Sequence, residues 1–143
     1  MRAVVDTVVF VRALINPAGP AGRLLVELPD RYVIVLSPEI VREILEVLYR
    51  PSLRQRFPQI VPPPLEQVLA LIEEAEVVEP RDHVKVCRDP AGDKFFACAL
   101  AGGADYIVSE DNDILAVGSY EGVKTIGITD FIAVLAGGGP APA

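Results

Sequence analysis

Histidine and cysteine are scarce in this chain: 143 residues contain one histidine, His83, and two cysteines, Cys87 and Cys98. A single histidine leaves little basis for a histidine-rich metal site or a Ser-His-Asp triad. The two cysteines offer neither a metal-ligand spacing nor a disulfide framework, which points to a reducing, cytoplasmic setting. Positive charge is also short, with 13 Lys and Arg against 20 Asp and Glu and a net charge of −7. That balance excludes a polycation that coats nucleic acid unspecifically. No run approaches the ~18 apolar residues of a membrane span, and Asp6 falls too early for a secretory signal. No repeat marks a solenoid. What is present is an ordered composition, 51% hydrophobic and 23% charged. The length suits one domain, read here as residues 1–137, able to bury roughly two-thirds of its unfolded surface without a staple. Residues 138–143, Gly138-Gly139-Pro140-Ala141-Pro142-Ala143, read as a flexible tail.

The apolar pattern alternates between short continuous runs and longer helical stretches. Ala3–Val5, Tyr32–Leu36, Ala75–Val78, Asp105–Val108 and Val123–Ile126 read as strands, and runs without polar alternation belong to a parallel sheet covered on both faces. Helices are expected over Thr7–Leu14, Pro20–Leu28, a segment opened by Ser37-Pro38, Leu65–Ala75, Asp93–Leu100 and a last one from Thr129. Ser37 supplies an N-cap and Pro38 the first helical position. Pro51 and the basic stretch to Arg56 read as a short helix or a loop. Pro62-Pro63-Pro64 is a stiff break and not a linker, because a helical pattern resumes at once. The alternation predicts a three-layer α/β domain with right-handed crossovers.

In an open parallel sheet, ligands bind beyond the carboxyl ends of the strands. Asp6 follows the first strand; Asp111 and Asp113 follow the fourth, just after Ser109. Asp93 opens the helix that precedes the fourth strand. The helix after Ser37 adds Glu39, Glu43 and Glu46, and its apolar stripe centres between Ile40, Ile44 and Leu48. Glu43 lies roughly 110° from that centre and the other two roughly 150° or more. Glu43 therefore sits on the shoulder of the buried face, and Glu39 and Glu46 point to water. Capping and turn formation explain each acid singly, but not the meeting of four at one edge. Clustered carboxylates repel and raise one another's pKa, an arrangement tolerated chiefly around a divalent cation. Without histidine or thiol partners, the donors favour Mg²⁺ or Mn²⁺, ions suited to phosphodiester hydrolysis.

These residues resemble the PIN-domain family of metal-dependent ribonucleases, and within it the VapC-like toxin components of toxin–antitoxin pairs. The resemblance runs from about Arg2 to Leu135. It is carried by Val4-Val5-Asp6-Thr7, by Ser37-Pro38-Glu39 through Glu43, and above all by a late block. That block holds Arg88-Asp89-Pro90-Ala91-Gly92-Asp93-Lys94-Phe95-Phe96 and Gly103 through Leu115, including Ser109, Asp111 and Asp113. The resemblance implies that Asp6, Glu43, Asp93 and Asp111 are the catalytic metal-binding acids, with Asp113 a further one. Thr7 and Ser109 would support the site by hydrogen bonds. It also implies a parallel sheet of about five strands flanked by helices, homodimers, an RNA substrate and an antitoxin partner. One departure is that many relatives carry acids where this chain has Ala91-Gly92.

Arg50, Arg54 and Arg56, with Lys94 beside Asp93, are the candidate phosphate-contacting rim; Arg81, Lys85 and Arg88 offer another path. Tyr49 and Phe57 could stack on bases. Cys98 reads as a core residue, and His83 beside Asp82 as a surface pair. The apolar helical segment from Thr7 to Leu28 exceeds what one sheet face needs and suggests a dimer surface. Two other readings compete. A non-catalytic PIN-like binding domain in a larger RNA-processing assembly would have no reason to keep four repelling acids. A receiver-like phosphoacceptor needs paired acids ending the first strand, which are missing.

Overall fold

The short apolar runs assemble into one sheet. In the computed structural model, which describes residues 1–60 and 64–137, the strands are β1 (Arg2–Val5), β2 (Val33–Leu36), β3 (Glu76–Val77), β4 (Tyr106–Val108), β5 (Ser119–Tyr120) and β6 (Val123–Ile126). Their order is β3-β2-β1-β4-β6-β5. The five strands expected from the apolar runs are the parallel ones, and β5 adds an antiparallel edge to β6. β5 escapes the sequence because it has two residues and closes through Glu121-Gly122. Both of those have positive φ, 47° and 88°, which is the backbone of a two-residue hairpin turn.

The helices are α1 (Thr7–Ile15), α2 (Pro20–Gly22), α3 (Pro38–Leu48), α4 (Pro51–Arg56), α5 (Pro64–Glu74), α6 (Asp93–Gly102), α7 (Asn112–Leu115) and α8 (Ile128–Leu135). The single helix expected over Pro20–Leu28 is instead the one turn of α2 widening into a π-helical turn, Arg23–Glu27. The basic stretch after Pro51 is helical, and Asn112–Leu115 forms the short helix α7. Pro62, Pro63 and the tail 138–143 lie outside the described residues.

Two features of this frame position the site. First, β1 has β2 on one side and β4 on the other, so the chain leaves β1 and β4 in opposite directions. The crevice that such a reversal opens lies at the carboxyl ends of those two strands. Second, α3 begins as the sequence predicts: the Ser37 hydroxyl accepts from the Ile40 N–H at 3.3 Å. Ile40, Ile44 and Leu48 are fully buried, which fixes the rotation of the helix and leaves Glu43 half-buried with Glu39 and Glu46 exposed. α6 lies across β1, β2, β4 and β6, its Phe96 and Cys98 wholly buried. It stops at Gly103, whose φ of 61° suits glycine.

Candidate active site

At the crevice the chain ties the ends of β1 and β4 together. Asp6 leaves β1 with its N–H bonded to the Val108 carbonyl at 3.0 Å. Its Oδ1 accepts from the Val8 N–H at 3.3 Å, so it caps α1. Its Oδ2 accepts from the Ser109 hydroxyl at 2.7 Å. The same Ser109 Oγ accepts from the Asp111 N–H at 2.9 Å. Asp111 in turn caps α7, its Oδ1 accepting from the N–H groups of Asp113 at 2.8 Å and Ile114 at 3.2 Å. Capping and clustering therefore coexist here: the same carboxylates that start two helices also face one another. Asp6 is 4% exposed. Burial, and then the charges of Glu43 and Asp111, raise its carboxyl above the ordinary value, against the lowering effect of Ser109 and the Val8 amide.

The other side of the crevice comes from α3 and α6. Glu43 projects from the shoulder of α3, and the Lys94 ammonium of α6 stands 2.9 Å from its Oε2. That oxygen is buried yet receives no aligned hydrogen bond, so the contact is one of charge more than of direction. Lys94 also donates to the Ala91 carbonyl at 2.7 Å and lies over the Phe95 ring at 5.2 Å.

Between these two sides lies a small cavity of about 120 Å³, lined by Asp6, Glu43, Asp89, Asp111 and Asp113, with Val8, Phe95 and Ile114 as its apolar walls. Four of the five metal-binding candidates read from the sequence thus share one cavity. The fifth, Asp93, lines a larger neighbouring groove of about 890 Å³. Its Oδ1 accepts from the N–H groups of Val86 at 3.0 Å and Cys87 at 2.8 Å, bracing the irregular segment that forms the groove wall. Asp89 was not among the candidates. Its signal was its place in the late block, and it is held by an N–H from Ala91 at 3.0 Å. Of the two supporting hydroxyls, Ser109 is the bridge just described, and Thr7 has a buried Oγ1 without a hydrogen-bond partner.

The basic candidates separate. Arg50, Arg54 and Arg56 lie on or next to α4 and line neither the cavity nor the groove. Arg54 sits over Tyr49 at 5.1 Å and Arg56 over Phe57 at 5.4 Å. Lys94 is turned inward onto Glu43 with 16% of its side chain exposed, so it is not a free cation of an outer rim. The groove instead presents Arg42, Arg81, Lys85 and His83 beside Lys94.

Gly92 accounts for part of the cavity's shape. A Cβ there would come within 2.8 Å of the Cys87 sulphur and 3.2 Å of Ile114, so the thiol fills the space a side chain at 92 would take. Cys87 has its thiol pushed up to about 11, by burial first and then by Asp93, Asp111, Asp113 and Asp89. It stays a neutral packing group near neutral pH.

The polar donors facing the cavity are carboxylate oxygens, the set preferred by a hard divalent ion, and a buried Glu43 oxygen without a hydrogen bond is available to one. As they stand, no three acid, histidine or cysteine side chains among the described residues are arranged to hold an ion. Two engagements bear on this: Lys94 is seated on Glu43, and Asp111 is turned toward the amides of α7.

Comparison with known proteins places this geometry in context. Residues 2–113 match the family model described as PIN domain. Over 121 residues the chain is 31% identical to the uncharacterized protein MJ1680 of Methanocaldococcus jannaschii, across 82% of this chain and 75% of that one. The fold is similar to the crystal structure of PAE2754 from Pyrobaculum aerophilum, with a TM-score of 0.56 and 15% identity over 96% of this chain and 90% of that one.

Proposed function

The chain belongs to the PIN domain family, and from that premise we propose that it is a Mg²⁺- or Mn²⁺-dependent endoribonuclease, the toxin component of a toxin–antitoxin pair. PIN domains are in general nucleases and typically use divalent metals. The observation that carries the finer reading is the meeting of Asp6, Glu43, Asp111 and Asp113 around one cavity at the reversal of the sheet. These acids, with Asp93 in the neighbouring groove, are the residues we assign to the ion. A divalent ion held by these residues would supply the positive charge and the lowered water pKa that phosphodiester hydrolysis needs.

The chain's own residues do the rest. Ser109 fixes the Asp6 carboxylate and, through the Asp111 N–H, the loop that carries the second acid. Phe95 and Ile114, both buried, limit water around the charges, which strengthens the interactions inside. Arg42, Arg81 and Lys85 in the groove, with Arg50, Arg54 and Arg56 near α4, are the cations offered to RNA phosphates. The acidic balance of the chain makes single-stranded or loop RNA, whose bases can splay toward a cleft, the favoured substrate.

The partners follow the same reading. We assign a homodimer to the apolar segment around α1 and the π-helical turn, where Val8 and Val26 are exposed at 47% and 43%, an antitoxin to its regulation, and a cytoplasmic location. Among the described residues no helix is long and apolar enough to cross a membrane.

The test is cleavage of end-labelled single-stranded RNA. Wild-type protein is expected to cut in Mn²⁺ and to stop in EDTA, and Asp6→Asn and Asp111→Asn to be inactive while folded. Equal cutting by Asp6→Asn, or in EDTA, removes the metal mechanism. Growth arrest on induction, relieved by the product of an adjacent gene, tests the toxin role; unimpaired growth with active nuclease removes it.

A further inference from the structure

Lys94 makes contacts that a surface lysine beside an acidic site does not require. Its ammonium lies over the Phe95 ring at 5.2 Å, donates to the Ala91 carbonyl, and is placed 2.9 Å from Glu43 Oε2. Only 16% of its side chain meets solvent. Glu43 Oε2 is buried and has no hydrogen-bond partner among the described residues. A buried carboxylate oxygen left to bare charge is costly, so the ammonium supplies the positive charge that this oxygen needs in the ion-free chain. Lys94 also lines the larger groove, where an ammonium leaving Glu43 has open space and the carboxylates of Glu39, Glu79 and Asp82.

We propose that Lys94 is an internal stand-in for the divalent ion: it neutralises Glu43 while the site is empty and must leave that oxygen for the site to load. This rests on the assignment of Glu43 to the ion. Lys94 acts through Glu43 and is a positioning residue. Loading is then an exchange of one cation for another, with the ammonium swinging toward the groove where a phosphate backbone would pass. The exchange weakens apparent affinity for the ion, because part of the binding energy goes to displacing a partner already in place.

The experiment is calorimetric titration of Mn²⁺ into wild type, Lys94→Met and Lys94→Arg, with melting temperatures in EDTA and in Mn²⁺. Methionine keeps an unbranched side chain and removes the charge. The expected result is that Lys94→Met binds Mn²⁺ about five-fold tighter, the scale set by losing one half-buried ion pair. It should also melt lower than wild type in EDTA and gain more on adding Mn²⁺. Lys94→Arg should bind close to wild type. A lysine that merely supported the fold would lower the melting temperature without tightening the ion. Unchanged or weaker Mn²⁺ binding by Lys94→Met, with wild type binding normally, overturns this inference alone. Absence of Mn²⁺ binding in all three proteins overturns it together with the assignment of Glu43. If Lys94→Met does not fold, Lys94→Gln carries the same comparison.

Discussion

The two walls of the acid cavity are built differently. The sheet wall is a closed hydrogen-bonded chain: Asp6 to Ser109 to Asp111, with each carboxylate also capping a helix. The helix wall is one glutamate held by one ammonium, with no aligned hydrogen bond at the buried oxygen. Hydrogen bonds to backbone and hydroxyl donors are directional and fix a carboxylate in place. An ion pair without alignment holds charge but not direction. The sheet wall is thus preformed, and the helix wall is the part that can change partners. Under the function proposed above, that division would place rigid acids at the switch point of the sheet and an adjustable one on a helix.

The largest effect expected from breaking this comparison falls on cleavage. Asp6→Asn and Asp111→Asn should each lower Mn²⁺-dependent RNA cleavage by ~100-fold or more, beyond the ~10–100-fold that losing an outer hydrogen-bonding partner costs. Glu43→Gln should match them, while Glu39→Gln and Glu46→Gln should leave rates near wild type in the same assay. Equal loss from Glu39→Gln would mean that α3 presents another face to the substrate.

Ser109→Ala separates the walls further. It removes one donor from Asp6 and one acceptor from the Asp111 amide, and should cost ~10–100-fold in cleavage and ~1–3 kcal/mol in stability. Chemical denaturation reads the second. A loss in stability without a loss in rate would show that the bridge is structural only.

Gly92→Ala tests the packing beneath both walls. Its Cβ would press on the Cys87 sulphur, at a cost of ~1–3 kcal/mol. Cys87→Ala in the same chain should restore most of the melting temperature. Failure of that rescue would place the strain in the backbone of residues 89–93.

The smallest effect concerns protons. Burial raises the Asp6 carboxyl, so the folded chain holds that proton more tightly than the unfolded chain. The stability this contributes is complete below the ordinary value of 3.8 and is lost as pH rises through the raised folded value. Asp6→Asn cannot ionise and escapes that loss. In EDTA at pH 7 it should melt above wild type. The gain should vanish as pH falls below the ordinary value. A lower melting temperature for Asp6→Asn at pH 7 would show that Ser109 and Val8 offset the burial.

The same contrast governs what could be read from the sequence. The sheet wall was legible because its signals are local: apolar runs ended by Asp6 and by Ser109-Glu110-Asp111, placed at one edge by the topology of parallel sheets. Glu43 was legible because Ile40, Ile44 and Leu48 set the rotation of its helix. Lys94 was read as part of an outer rim, because its pairing with Glu43 depends on how α6 packs against α3, and no local pattern encodes that. Asp89 and the bracing role of Asp93 were missed for the same reason, since both are set by an irregular loop held by side chain to backbone bonds. Strand β5 was missed because two residues carry no periodicity.

The account rests on both walls contributing to one ion site, and calorimetric titration of Mn²⁺ into wild type, Asp6→Asn, Glu43→Gln and Glu39→Gln tests it most directly. The predicted result is saturable binding by wild type and Glu39→Gln, with loss in Asp6→Asn and Glu43→Gln although both remain folded. Binding that survives in both of those variants, or no heat from wild type at millimolar Mn²⁺, would contradict it.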